Sequence, residues 1–333
     1  MSALESKDVI LELRDLRKQF LVHHGKTKVN AVDGVSFQLR RGEILGLVGE
    51  SGCGKTTTGK LIMRLIEPSS GSILVDGEET RAETREEDIA YRRRVQMIFQ
   101  DPYASMNPHF KVKDVLEEPL LIHKIGETRS ERLQMVAEVM KMVKMTPVED
   151  YMERHPHMLS GGQRQRIATA RTLVLRPQII VADEPVSMID LSTRAEILHL
   201  MKTIQQDMEL SFVYITHDIS TARYFTDRIA VMYLGRIVEI GSQDDLIDNP
   251  RHPYTKALIE AVCEPVSGRV GVMRELNVKG EIPSAADVPK GCRFHPRCMF
   301  ATPECGSEAE PGLEQAAGSE AGHLVACRRY KEL

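Results

Sequence analysis

The sequence predicts an α/β fold with a parallel-sheet core, an inserted helical subdomain and a cysteine-bearing C-terminal extension. Three observations carry that expectation. Short apolar runs of strand length recur at Ile44–Val48, Val95–Phe99, Ile179–Ala182 and Phe212–Thr216. Between them lie stretches with apolar residues three and four apart, as at Leu133, Val136, Met140 and Val143. The run Ile44–Val48 feeds straight into a glycine-rich turn and then helix-forming sequence from Thr56 to Ile66. Strands alternating with helices indicate a sheet whose neighbours run parallel.

Taken in order, Val9–Leu39 reads as short strands rich in β-branched residues, broken by the polar loop His23–Lys28. Residues from about Val112 to Leu175 are dominated by helical periodicity and form the insertion, placed at about 101–175. Thr193–Asp207 is amphipathic and separates two apolar runs. Beyond Pro250 the proline, glycine and cysteine content rises and periodicity fades. A boundary there divides the chain into 1–250 and 251–333.

Bulk properties narrow the function classes. The 333 residues suffice for about two domains with a real core. Lys plus Arg number 44 against 48 Asp plus Glu, a net charge of −4, so nucleic acid is not expected as a partner. With 42% hydrophobic and 28% charged residues, disorder over most of the length is excluded. No apolar run reaches membrane-helix length. Glu5 and Asp8 interrupt any basic-then-apolar leader pattern, so a cytoplasmic protein is expected. Six cysteines do not make a secreted disulfide scaffold in a chain this long.

The glycine-rich turn, Gly49-Glu50-Ser51-Gly52-Cys53-Gly54-Lys55-Thr56, has four residues between its first glycine and Gly-Lys-Thr. Glycines let successive N–H groups curl inward toward phosphate oxygens, and the helix beginning at Lys55 adds its positive dipole end. Lys55 would neutralise the β- and γ-phosphates, and the Thr56 hydroxyl would hold Mg²⁺, with Thr57 next in the helix. Ile179–Ala182 then delivers Asp183, toward Mg²⁺, and Glu184, placed to polarise an attacking water. His217 follows the run Phe212–Thr216, where it could sense a γ-phosphate. Leu159-Ser160-Gly161-Gly162-Gln163 opens a second helix, Arg164–Leu175, and makes a second anion-binding N-terminus. One nucleotide cannot easily use two cradles from one chain. The second is therefore expected to close over a nucleotide held by another copy of the fold.

With these motifs in place the chain resembles the ATP-binding subunit of an ABC transporter, whose signature Leu159–Gln163 matches letter for letter. The resemblance implies a P-loop NTPase fold with an antiparallel β subdomain beside the parallel core. It implies that Gln100 is the Q-loop residue, ligating Mg²⁺ and linking the site to membrane subunits. Ser187 and Asp190 bracket the D-loop, whose middle residues, Met188 and Ile189, depart from the family's Ala-Leu. Phe20 lies where the family places an aromatic that stacks on adenine; the alternative is a core residue closing a strand. ATP would contact Gly49, Ser51, Gly52, Cys53, Gly54, Lys55, Thr56, Thr57, Gln100 and Asp183. Ser160, Gly161, Gly162 and Gln163 would meet the partner's ATP.

Phe99–Pro108, Tyr233–Glu239, His252–Thr255 and Gly291–Cys298 resemble the oligopeptide/dipeptide importer ATPases, in particular the second, F-type subunit of the pair. That branch implies a heterodimer with a second ATPase subunit, two transmembrane permeases, and, indirectly, an extracytoplasmic solute-binding protein. It implies a peripheral position on the cytoplasmic face of the membrane. Two other classes stay open: a non-transport ABC ATPase of DNA repair or the ribosome, and a nucleotide-switched metal or redox regulator. His23, His24, His155 and His157 lack companions at ligand spacing and read as solvated.

Cys292, Cys298, Cys305 and Cys327 are spaced by 6, 7 and 22 residues in a tail with few large apolar residues, which favours a metal staple. Zinc usually takes a pair only two to four residues apart, and none exists here. The resemblance implies a [4Fe-4S] cluster on these four cysteines; zinc or unligated thiols are the alternatives. Cys53 and Cys263 are left out of the set. The tail is expected to lie far from the phosphate loop, so that changing one of its cysteines spares ATP binding.

Overall fold

The computed structural model describes residues 8–22, 27–81, 84–104, 106–261, 278–319 and 322–332. His23, His24, Ser105 and Cys263 lie outside them. The chain divides into two compact units, one of Met1–Ile10, Leu39–Glu43 and Glu78–Val213, the other of Leu11–Gln38, Ile44–Gly77 and Tyr214–Leu333.

In the first unit, Val95–Ile98 and Ile179–Asp183 pair in parallel, Val95 opposite Ile179 and Ile98 opposite Ala182. Every residue of Ile179–Asp183 is buried, as the continuous apolar run predicts. Between these strands come the helices Val112–Ile122, Arg129–Met142, Val148–Met152 and Gly161–Leu173. Polar clamps hold them: Arg132 Nε donates to Glu117 Oε1 at 2.9 Å, and Arg166 Nη1 to the Val143 carbonyl at 3.1 Å. Leu191–Met208 is a longer helix than the amphipathic stretch suggested.

In the second unit, Val9–Val22 and Thr27–Arg40 are single 14-residue strands rather than several short ones. A register shift between Arg14 and Arg17, with Asp15 at φ 43, breaks the alternation midway, so the sequence reads as two pieces. Val9–Val22 pairs antiparallel with Ser70–Val75, making the β subdomain. Ile44–Val48 pairs in parallel with Arg228–Tyr233, which turns back through Leu234-Gly235 onto Arg236–Ser242. The helix after the phosphate loop runs Lys55–Ile62, shorter than expected.

The tail does not stand alone. Leu324–Val325 adds antiparallel to Arg236–Ser242, with Glu239 opposite Val325. Pro253–Glu260 is an ordered helix. Phe294 is buried in a ring cluster with Tyr233 and Tyr254, its centroid 5.3 Å from each. The tail thus packs largely onto an existing core, beside a small cluster of its own at Ala316, Val325 and Tyr330.

Candidate functional site

The phosphate loop owes its shape to its glycines. Gly54 caps the helix at φ 108, and an added Cβ would lie 2.1 Å from the Ala31 carbonyl oxygen. Gly49, at φ 157, would drive a Cβ to 2.2 Å from the Met232 carbonyl oxygen. Neither position admits another residue without moving backbone. Lys55 is buried, and its Nζ donates to the carbonyls of Gly49 at 2.6 Å and Glu50 at 2.9 Å. Ser51, Gly52 and Thr56 are exposed and Thr57 half-buried, while Cys53 packs inward. Burial raises the Cys53 thiol pKa, so it fills space as an un-ionised thiol. The loop is a cradle of donors that fits a polyphosphate.

Phe20 is 36% exposed, with Lys18 Nζ 5.4 Å above its ring. It is not part of the buried core. His217 is exposed immediately after Ser211–Thr216.

In the other unit, Gln100 Nε2 donates to Glu184 Oε2 at 2.9 Å, bringing together two residues 84 apart in sequence. Asp183 is buried at the end of its strand. Glu184 follows at φ 46, a left-handed conformation that a residue with a side chain adopts only where its surroundings hold it. Ser187 supplies part of that hold, its N–H and hydroxyl donating to the Glu184 carbonyl at 3.1 and 3.0 Å. Arg194 Nε donates to the Ile189 carbonyl at 2.9 Å and so ties down the segment ending at Asp190, the N-cap of Leu191–Met208. Sequence reasoning missed Arg194, because nothing in its spacing distinguishes it from a solvated helix arginine.

Ser160 and Gln163 form a reciprocal capping box: the Ser160 hydroxyl accepts from the Gln163 N–H at 3.3 Å, and Gln163 Oε1 accepts from the Ser160 N–H at 3.0 Å. The Ser160 hydroxyl therefore serves its own helix. An added Cβ on Gly162 would lie 2.7 Å from Thr193 Cγ2, whereas one on Gly161 would meet open space.

The four tail cysteines, spread over 36 residues, line one pocket together with Phe294, His295 and Phe300. Burial, and then the charge of the neighbouring thiols, pushes Cys292 and Cys327 up to about 11 and raises Cys298. Without a counter-charge these thiols stay protonated. Among the described residues no group of three or more His, Cys, Asp or Glu is placed to hold a metal ion.

The tail is not remote from the phosphate loop, contrary to expectation. Arg297 Nη1 and Nη2 donate to Glu50 Oε2 and Oε1 at 2.6 and 3.0 Å. Arg293 bonds the Leu234 carbonyl and pairs with Asp33, which Arg17 also holds.

Comparison with known proteins places this geometry. Residues 32–187 match the family model described as ABC transporter, and residues 238–305 that described as Oligopeptide/dipeptide transporter, C-terminal region. The oligopeptide transport ATP-binding protein AppF of Bacillus subtilis is 45% identical over 98% of each chain. The dipeptide transport ATP-binding protein DppF of Haemophilus influenzae is 43% identical over 96% of each. Among solved structures, cbiO1 from Clostridium perfringens, part of the ABC transporter complex cbiONQ, is similar with a TM-score of 0.64 at 26% identity, covering 73% of this chain and 92% of its own. The dimeric bacterial ABC transporter cassette MJ0796 gives 0.63 at 29%, covering 70% and 99%. The chain belongs to the ABC transporter family, among the ATP-binding proteins that carry the oligopeptide/dipeptide C-terminal region.

Proposed function

We propose that this chain is the ATP-hydrolysing subunit of a peptide-class ABC importer. The observation that carries the reading is coverage: peptide-transport ATP-binding relatives match through both the ATPase region and the tail, over 96–98% of the chain. Residues 1–250 act as the ATPase and 251–333 as the extension.

In this reading Gly49, Ser51, Gly52, Cys53, Gly54, Lys55, Thr56 and Thr57 receive the phosphates of ATP, and Phe20 stacks on its base. Thr56, Gln100 and Asp183 would hold Mg²⁺, which would neutralise charge developing on the phosphates. Glu184 orients the attacking water and takes its proton, and His217 senses the γ-phosphate. The 2.9 Å bond from Gln100 supports this, because it fixes the Glu184 carboxylate in one orientation.

Ser160–Gln163 faces ATP held by a second ATPase subunit, and Ser187 and Asp190 line the same junction. The open space at Gly161 supports an approach there from outside the chain. The two ATPases form a heterodimer that drives two transmembrane permeases from the cytoplasmic face, fed indirectly by an extracytoplasmic solute-binding protein. Exposed Phe99, Tyr103 and Phe110, flanking Gln100 in sequence, offer apolar surface for such a contact. No helix among the described residues is long and apolar enough to cross a membrane.

The four tail cysteines carry a [4Fe-4S] cluster. Their shared pocket supports it, since Cys292, Cys298, Cys305 and Cys327 would supply the four thiolates that such a cluster takes. The cluster supplies a structural crosslink; no step of ATP hydrolysis draws an electron from it.

Purification of the tagged chain from detergent-solubilised membranes tests the function. Two permeases and a second ATPase are expected to co-purify, with ATPase activity raised by peptide and its binding protein. Co-purifying nucleic acid without membrane subunits would overturn it.

A further inference from the structure

The second residue of the phosphate loop is an acid, which is an odd choice for a loop that receives a polyanion. Glu50 cannot move its main chain away. Its N–H donates to the Tyr254 hydroxyl at 2.9 Å, and its carbonyl accepts from Lys55 Nζ at 2.9 Å. An unpaired carboxylate fixed there would oppose every phosphate the loop admits.

The tail answers that charge. Arg297 meets Glu50 fork to fork, 247 residues away in sequence, the geometry in which guanidinium and carboxylate bind most tightly. Its side chain is 6% exposed, against 24% for Glu50, so solvent screens the pair only on the Glu50 side. The guanidinium also lies 5.9 Å from the Tyr233 ring and 6.0 Å from that of Phe294. The same tail brings Ile282, Pro283 and Ala285 to a pocket shared with Ser51 and Gly52.

We infer that Arg297 is a positioning residue for ATP binding: by pairing with Glu50 it cancels the one negative side chain of the phosphate loop and holds the loop open to the triphosphate. The inference rests on the ATP-site reading above and deepens it, making the tail part of the ATP-binding apparatus. Arg297 touches no nucleotide; it acts through Glu50.

Equilibrium binding of ATP to the purified full-length chain tests this with three variants. Arg297→Met is expected to raise the Kd about tenfold, because it strips the half-buried acid of its counter-charge. Glu50→Gln combined with Arg297→Met is expected to return the Kd to within about threefold of the parent, because no charge remains to cancel. A merely structural arginine would not be rescued this way. A loss below about threefold in Arg297→Met, or a loss that persists in the double variant, overturns the inference. Where Arg297→Met does not fold, Glu50→Gln alone decides: ATP binding at or above parental strength supports the role, and weakening beyond about threefold overturns it. A parent chain that bound no ATP would instead overturn the ATP-site reading.

Discussion

His323 Nε2 and Glu239 Oε1 lie 2.8 Å apart, with neither side chain reaching solvent. The contact fastens the tail to the strand Arg236–Ser242. The same carboxylate also accepts from the Arg251 N–H at 2.7 Å and the His252 N–H at 3.0 Å. One buried acid thus satisfies three donors drawn from two segments. Glu239→Ala would strand all of them, and each buried unsatisfied donor costs about 1–3 kcal/mol. A loss of about 3–5 kcal/mol is expected in urea denaturation, in the range for breaking a buried pair. A change below about 1 kcal/mol would show that water replaces the carboxylate.

Glu184→Gln should keep ATP and Mg²⁺ binding and lose turnover by at least about 10²-fold, the lower range for removing a general base. The amide can still meet Gln100, so the loop is expected to hold its shape. Single-turnover hydrolysis by the assembled complex, read separately from nucleotide affinity, checks it. Unchanged chemistry would strip Glu184 of its role.

Ser160→Arg should abolish turnover of the assembled pair while the isolated chain binds ATP as before. It also removes an N-cap, and about 1 kcal/mol of stability should go with it. Thermal unfolding and nucleotide binding on the same preparation separate the two effects. Weakened ATP binding by the isolated variant would contradict a signature that serves the partner's nucleotide.

Anaerobic purification should give a brown protein with about four irons per chain. Changing Cys292, Cys298, Cys305 or Cys327 to Ser should bleach it. Because Arg297 directly precedes Cys298, the Cys298→Ser variant should bind ATP more weakly as well. A colourless anaerobic preparation with one zinc per chain would contradict the cluster.

The phosphate loop could be read residue by residue because its chemistry is local. Gly49, Gly54 and Lys55 are required by the turn they form, and the structure gives each a physical reason. Ser160 and Gln163 were legible for a further reason, since Ser-x-x-Gln is also a capping box. Arg297 and Glu50 were not legible: a pair 247 residues apart leaves no periodic trace, and either residue alone reads as a solvated charge. The four cysteines share a pocket, whereas the tail's link to the loop through Arg297 was hidden. The tail's apolar content is low because it packs Tyr254 and Phe294 onto Tyr233 and adds only a small cluster of its own, Ala316, Val325 and Tyr330.

That ring cluster bears on how such chains can be rebuilt. A hybrid that kept this ATPase region and took its tail from another importer would have to match Phe294 in shape and Arg297 in charge at once. The solved neighbours, which cover 70–73% of this chain, are therefore poor guides to where it can be cut. Ended at Pro250, the chain would open Tyr233 to water and leave the Glu50 carboxylate bare beside the phosphate loop. Through Arg297 on Glu50 and Phe294 on Tyr233, an exchanged extension would have to be refitted to the phosphate loop it meets.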